Sequence, residues 1–358
     1  MMNNKIPLSN QTKFIILLFF LYFILPISGE YVLGSNFYIF SYSESLSKYF
    51  AMFAFCVSFF FLGLTYIISK KSINSSKSIS SLSRKILRIH FYLFLLFIFV
   101  LLTNGIYQRL TVGSDRIFLL SNLHEFLVSG VSFLFIGALV YIARYISKKY
   151  FYIIVFLFVL LDFIYLGKKF SYYAIALLLF NSDTSENSNK HLIYIGIFSI
   201  IIIIVISILR AVAADDQADV YHQLFSFYSY TSEFLGVYAS IGHALDNSHL
   251  LYGTYFNLDY LLADFYKDEV GHGLALHPIA YFLILSKSYW WFLYIFYFSF
   301  LTLLIRLFSS TLGNLIILLL TINSVHFFRH GPDIFLYQVI QQSIYITLII
   351  YFPKIINR

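Results

Sequence analysis

Basic side chains stand in this sequence where an apolar chain should not carry them. Arg329 opens the run Arg329-His330-Gly331-Pro332-Asp333, in which Gly-Pro predicts a tight turn and three ionisable side chains crowd together. Lys168, Lys169, Arg210 and Lys287 also border long apolar blocks, and Arg109 and Arg116 lie in a short stretch between two of them. A guanidinium grips phosphate or carboxylate oxygens through two parallel hydrogen bonds, so fixed arginines suit the charge that develops on an anionic leaving group. A second cluster is Gly271-His272-Gly273-Leu274-Ala275-Leu276-His277-Pro278. Its glycines end one helix, and Pro278 fits the first turn of the next. Imidazole has an unperturbed pKa of about 6.5 and suits proton transfer near neutral pH. The positive end of the helix dipole disfavours imidazolium, which keeps His277 neutral as a general base. His272 and Glu233 are the other candidates for that role. The two histidines have only Glu269 as a nearby carboxylate and no cysteine, so no metal or other cofactor is expected.

Plainer roles compete with each of these. Lys168 and Lys169 can snorkel to lipid headgroups, with Asp162 as a counter-ion two turns earlier on one helix face. Arg109 and Arg116 can pair with Asp115 or Glu125, and Arg210 can anchor an apolar helix at an interface. His272 and His277 can be solvated imidazoles at an interfacial helix start. The run Asp215-Asp216-Gln217-Ala218-Asp219 reads as a solvated helix start.

The elements that must position these groups follow from composition. Of 358 residues, 60% are hydrophobic and 11% charged, too little charge to cover a soluble domain of this length. The apolar residues fall in blocks of the length a membrane helix needs, about 20 residues. Helices are expected at 13–33, 48–69, 89–107, 123–143, 150–166, 168–181, 191–210, 288–308, 314–328 and 334–352. The fold class is therefore an all-α polytopic membrane protein of about ten spans. Cys56, the single cysteine, excludes an intrachain disulfide and is expected to be a small buried hydrophobe.

Direction follows from charge, because basic residues concentrate on the cytoplasmic side. The loops 70–88 and 144–149 are basic and contain no acid, and placing them inside puts both termini inside. Fifteen of the 24 basic residues then lie inside, and the nine outside include every basic candidate above. The stretch 211–287 lies outside and holds nine of the 17 acids. Near-helical spacing of Leu224, Tyr228, Phe234, Leu235, Tyr238 and Ile241, and of Phe256, Tyr260 and Leu261, predicts two amphipathic helices over the outer mouth of one bundle. The domain reading is a single transmembrane domain, 1–358, with this large loop inserted between spans seven and eight.

Layout and local motifs together resemble the bacterial O-antigen polymerases. Leu166-Gly167-Lys168-Lys169-Phe170-Ser171 resembles the family's Gly–basic–basic–Ser turn, and Ile208-Leu209-Arg210 the arginine that opens the large loop. Gly271-His272-Gly273 through Phe282, then Trp290 and Trp291, resembles the glycine-rich segment and amphipathic helix that close the loop. Phe328-Arg329-His330-Gly331 is similar to the Arg-Gly turn near the C-terminus, here with His330 inserted. Leu276-His277-Pro278-Ile279-Ala280-Tyr281-Phe282 is also similar to the O-antigen ligases, with Pro278 in place of their usual Asn.

The resemblance implies a fold of the GT-C type and an inverting, metal-independent glycosyl transfer at the periplasmic face of the inner membrane. A growing glycan on undecaprenyl diphosphate would pass to a lipid-linked repeat unit. It implies His277, Arg210 and Arg329 as catalytic groups. Lys168, Lys169, His272, His330, Arg109, Arg116 and Glu233 would bind substrate. Lipid-linked glycans, the membrane, a chain-length regulator and a flippase are the candidate partners, and nucleic acid is not one. Ligation of the glycan to lipid A–core is the nearest alternative, and a transporter of lipid-linked sugars is the alternative outside enzymes.

The charge pattern makes a direct prediction about sidedness. In a Cys56→Ser background, an impermeant thiol reagent should label a cysteine placed at position 247 in intact cells and spare one placed at 75. The reverse pattern overturns the orientation.

Overall fold

A computed structural model describes residues 10–26, 28, 53–60, 62–63, 84–112, 148–167, 169–182, 188–213, 234, 237–238, 240–242, 244, 276–308 and 313–356. Among the described residues the chain is almost entirely helical and no strand occurs. The longer helices are α1 (Asn10–Phe19), α2 (Arg84–Val112), α3 (Lys148–Tyr165), α4 (Lys169–Ser182), α5 (Ser188–Ala213), α6 (Pro278–Leu285), α7 (Trp290–Phe308), α8 (Gly313–His330) and α9 (Pro332–Ile356). All but α6, which lies in the stretch 211–287 read as a loop, fall on apolar blocks read from the sequence. The block 48–69 is helical at 53–60, and the block 123–143 lies outside the described residues. Arg88–Thr111 within α2 is long and apolar enough to cross a membrane. A second candidate span is the pair Pro278–Leu285 and Trp290–Leu301, bent by 118°.

The chain forms two compact units. One comprises Met1–Ser76 and Thr231–Val339, the other Lys77–Tyr230 and Ile340–Arg358. The segment 211–287 is thus shared between them. In the first unit, α1 packs on α8, and α6 packs on α7 and α8. α1 ends in a π turn, Phe20–Ile24, closed by the Leu25 amide donating to the Phe20 carbonyl. This turn buries Tyr22 and Phe23, which meet Phe328 of α8 with ring centroids 5.9 and 5.8 Å away. The sequence anticipated an amphipathic helix after Pro278. Instead α6 is apolar all round, and Pro278 through Ile284 are all buried, because neighbouring elements cover it on every side. Phe234, Val237, Tyr238, Ser240, Ile241 and Ala244 are helical and buried, and the rest of 219–245 apart from Gly242 lies outside the described residues. The stretch 252–266 lies outside the described residues.

Cys56 is exposed, contrary to the buried role expected for it. It shares its short helix with exposed Phe53, Phe59 and Phe60, so an apolar type was not a sign of burial here.

In the second unit, α3 packs against α2, α4 and α5, and α5 also packs on α4. Gly105 of α2 allows the closest approach. A Cβ there would fall 2.5 Å from the Ile164 Cγ2 and 2.7 Å from the Tyr165 ring. The missing side chain lets Tyr165 lie across α2, where its hydroxyl donates to the Leu101 carbonyl at 2.5 Å. Small residues at helix crossings do this generally in apolar bundles. Gly105→Ala should therefore force Ile164 and Tyr165 aside and cost about 1–3 kcal/mol, the usual range for overpacking. Thermal unfolding in detergent measures it. An unchanged midpoint rejects the close approach.

Candidate functional site

Residues 276–282 and 329–333, from two segments singled out in the sequence, come together in the first unit. Gly331 alone separates α8 from α9. Its φ of +94° lies in the left-handed region that a glycine adopts without strain. A Cβ on Gly331 would stand 3.4 Å from the Tyr281 ring, 3.6 Å from Leu276 and 3.4 Å from Asp333 Oδ1. The turn therefore rests on the start of α6. Tyr297 of α7 ties it further, its hydroxyl donating to the Pro332 carbonyl at 3.0 Å. Arg329 and His330 form the last turn of α8 rather than an open loop, and both are half-buried. Asp333 sits in the first turn of α9, where its Oδ1 accepts the Ile334 amide at 2.8 Å.

His277 is fully buried just before α6. It is the helix N-cap: extended in backbone, with Nδ1 accepting the Ile279 amide at 3.2 Å and Pro278 following as the sequence suggested. Its own amide donates to Ser240 Oγ at 2.8 Å, and that hydroxyl donates to the Val237 carbonyl at 2.6 Å. Phe23 lies edge-on to the imidazole at 4.4 Å, and Tyr238 at 6.5 Å.

With Nδ1 accepting, the neutral ring carries its proton on Nε2. Nε2 is buried and has no hydrogen-bond partner of normal geometry. Burial holds the imidazole down to about 3, with the nearby Tyr22 backbone opposing it. His277 is thus neutral at physiological pH, and desolvation is the cause. The ring presents an N–H donor. Its lone pair is engaged in the cap, so acting as a base requires releasing the Ile279 amide.

The remaining candidates are placed as follows. Arg109 is in the last turn of α2, and its Nη2 donates to the Phe163 carbonyl at 3.0 Å, so it bridges two helices. The proposed partners Asp115 and Glu125 lie outside the described residues, as do Lys168, Arg116, His272 and Glu233. Lys169 is the first residue of α4, and Arg210 lies in the last turn of α5. Asp162 and Lys169 do not share one helix, because a turn with Leu166 at φ +51° separates α3 from α4. The Asp162 carboxylate accepts the amides of Phe170 and Ser171.

Sequence reasoning missed Ser240, Tyr22, Phe23 and His326. His326 is buried one turn before His330, with the two rings 5.5 Å apart. Its i, i+4 spacing was the available signal. Nothing in the sequence links Ser240 or the π turn to His277. Among the described residues, no group of three or more His, Cys, Asp or Glu could hold a metal ion. Comparison with protein-family models, curated proteins and solved structures finds no match to this chain.

The capping role can be measured apart from any activity. His277→Ala should cost about 1 kcal/mol, the usual loss of a helix cap, whereas His277→Asn keeps an acceptor and should cost less. A second signature is the pH dependence. Unfolding lets the imidazole bind a proton again at about pH 6.5, while the folded ring resists protonation down to about 3. The His277 contribution to stability is therefore complete above the unfolded value and shrinks as pH falls from there toward 3. Denaturation midpoints across that window should fall less steeply for His277→Asn than for wild type. Identical slopes reject the buried neutral ring.

Proposed function

We propose that the chain is a polytopic inner-membrane glycosyltransferase of the O-antigen polymerase type, with both termini cytoplasmic. The observation that carries the reading is the seating of the Arg329–Gly331 turn on the start of α6. Two segments that separately resemble motifs of this family, some fifty residues apart in the chain, meet in one unit around Gly331, Tyr281 and Leu276. Outward-facing side chains support the membrane setting. Tyr92, Leu93, Leu96, Phe99, Val100, Ile106 and Leu110 of α2 are exposed, as are Phe292, Phe296, Phe300 and Leu303 of α7. Water disfavours such continuous apolar faces, and lipid does not.

In the proposed reaction, a hydroxyl of the lipid-linked repeat unit attacks the anomeric carbon of the growing glycan. The bond from that carbon to undecaprenyl diphosphate breaks, and the hydroxyl proton leaves to a base. Arg329 and Arg210 are both proposed to bind the diphosphate of a lipid-linked substrate. His277 is proposed to meet a substrate oxygen, as a donor through Nε2–H while its cap holds and as a base once Nδ1 is released.

Arg210→Ala and Arg329→Ala should each cut polymer by roughly 100-fold or more, as loss of a charge-stabilising group commonly does. Lysine should rescue poorly, because it keeps charge and loses the planar fork. The measurement is the glycan ladder in the native host, at matched protein level. Core capped with a single repeat unit supports polymerisation, bare core supports ligation instead, and normal ladders from both variants remove the proposal.

A further inference from the structure

The buried face of α2 ends in a polar side chain. Phe94, Ile98, Leu101, Gly105 and Gln108 recur at steps of three and four residues, so they line one face of the helix. That face lies on α3: Phe94 meets the Phe158 ring at 5.7 Å, the Leu101 carbonyl accepts the Tyr165 hydroxyl, and Gly105 sits against Ile164 and Tyr165. Gln108, one turn beyond Gly105, is carried to the end of α3 and is only 8% exposed. Its Nε2 donates to Asn104 Oδ1 at 3.5 Å. Its Oε1 is buried and has no hydrogen-bond partner among the described residues. The next residue, Arg109, crosses to α3, where its Nη2 donates to the Phe163 carbonyl at 3.0 Å. The Gly167 amide, four residues after Phe163, is bonded to the Asp162 carbonyl instead, so the arginine supplies a donor that the helix end lacks. This bond holds the guanidinium in place, and its Nε is likewise buried without a partner among the described residues.

Leaving a buried amide oxygen unpaired is costly, and leucine in this apolar face would avoid the cost. The retained glutamine therefore marks a place for a group that brings a proton. A hydroxyl answers both neighbours: its oxygen accepts from Arg109 Nε–H and its proton goes to Gln108 Oε1. A phosphate diester offers oxygens to Arg109 and no proton to Gln108. We propose that Gln108, with Arg109 Nε, binds a sugar hydroxyl of the lipid-linked repeat unit and takes part in selecting that sugar. The inference rests on the function proposed above, in whose orientation this end of α2 faces the periplasm. A sugar lacking the hydroxyl is disfavoured, because it leaves the amide buried and unpaired.

The test uses the full-length protein in detergent, with Gln108→Met and Gln108→Asn. Methionine keeps the length of the side chain and removes the acceptor, and asparagine keeps the amide on a shorter arm. The probes are the oligosaccharide repeat unit released from its lipid by mild acid and, as the sugar-free control, undecaprenyl phosphate. Titration calorimetry reads both affinities, and thermal unfolding reads the fold. Methionine should weaken the oligosaccharide roughly tenfold, as loss of a buried hydrogen bond does. Asparagine should fall between, undecaprenyl phosphate should bind all three proteins alike, and the unfolding midpoint of Gln108→Met should be no lower than wild type. Wild-type affinity for the oligosaccharide in Gln108→Met, or no binding by the wild type, overturns the site and leaves a bound water only. Equal losses for both probes, or a lowered midpoint, make Gln108 a packing residue and overturn hydroxyl recognition. Polymerisation of the lipid-linked repeat unit in vitro is measured separately. Wild-type protein that binds the oligosaccharide and forms no polymer removes the polymerase reading and keeps the sugar site.

Discussion

A helix that begins inside an apolar interior exposes amide donors with no carbonyl behind them, and water is not there to take them. Both units of this protein meet that constraint with a side chain that might have been reserved for chemistry. In one, the His277 imidazole receives the Ile279 amide at the start of α6. In the other, Asp162 receives two amides at the start of α4. Neighbouring groups lie against these acceptors: Ser240 under the His277 backbone, Phe23 against its ring, Gly167 beside the Asp162 carboxylate.

The same constraint alters what the candidate residues can do. A histidine whose Nδ1 is occupied has one nitrogen left, and in the neutral ring that nitrogen bears the proton. The group expected to remove a proton is therefore preset to donate a hydrogen bond. A carboxylate read as a counter-ion also joins the end of one helix to the beginning of another. In both cases the local backbone has the first claim on the side chain, and charge or acid–base behaviour follows from what remains.

The helices were legible because long apolar blocks leave few alternatives, and the break at Gly331 was legible because Gly-Pro is a strong turn signal. Pro278 marked the start of α6 for the same reason. Other features were hidden by their distance in sequence. Ser240 reaches His277 across 37 residues, and serine in an amphipathic stretch carries no sign of its partner. The character of α6 was misread because hydrophobic type cannot say whether a helix lies over a surface or is enclosed. Cys56 shows the converse: a small apolar type in an apolar block, yet exposed. The seven-residue spacing of Asp162 and Lys169 suggested one helix face, although Gly167 already marked a turn between them.

The π turn at Phe20–Ile24 has a consequence for how this chain could vary. A π turn holds one more residue than the α turn it replaces, so it offsets the faces of the helix before and after it by about 100°, one residue's rotation. Phe14 and Leu18 are buried ahead of it, and Tyr22 and Phe23 within it. Deleting a single residue here would leave a regular helix in which one of these two sets faces the wrong way. Insertions and deletions in this short stretch are therefore more consequential than substitutions, since length rather than residue type keeps Phe23 aimed at the imidazole.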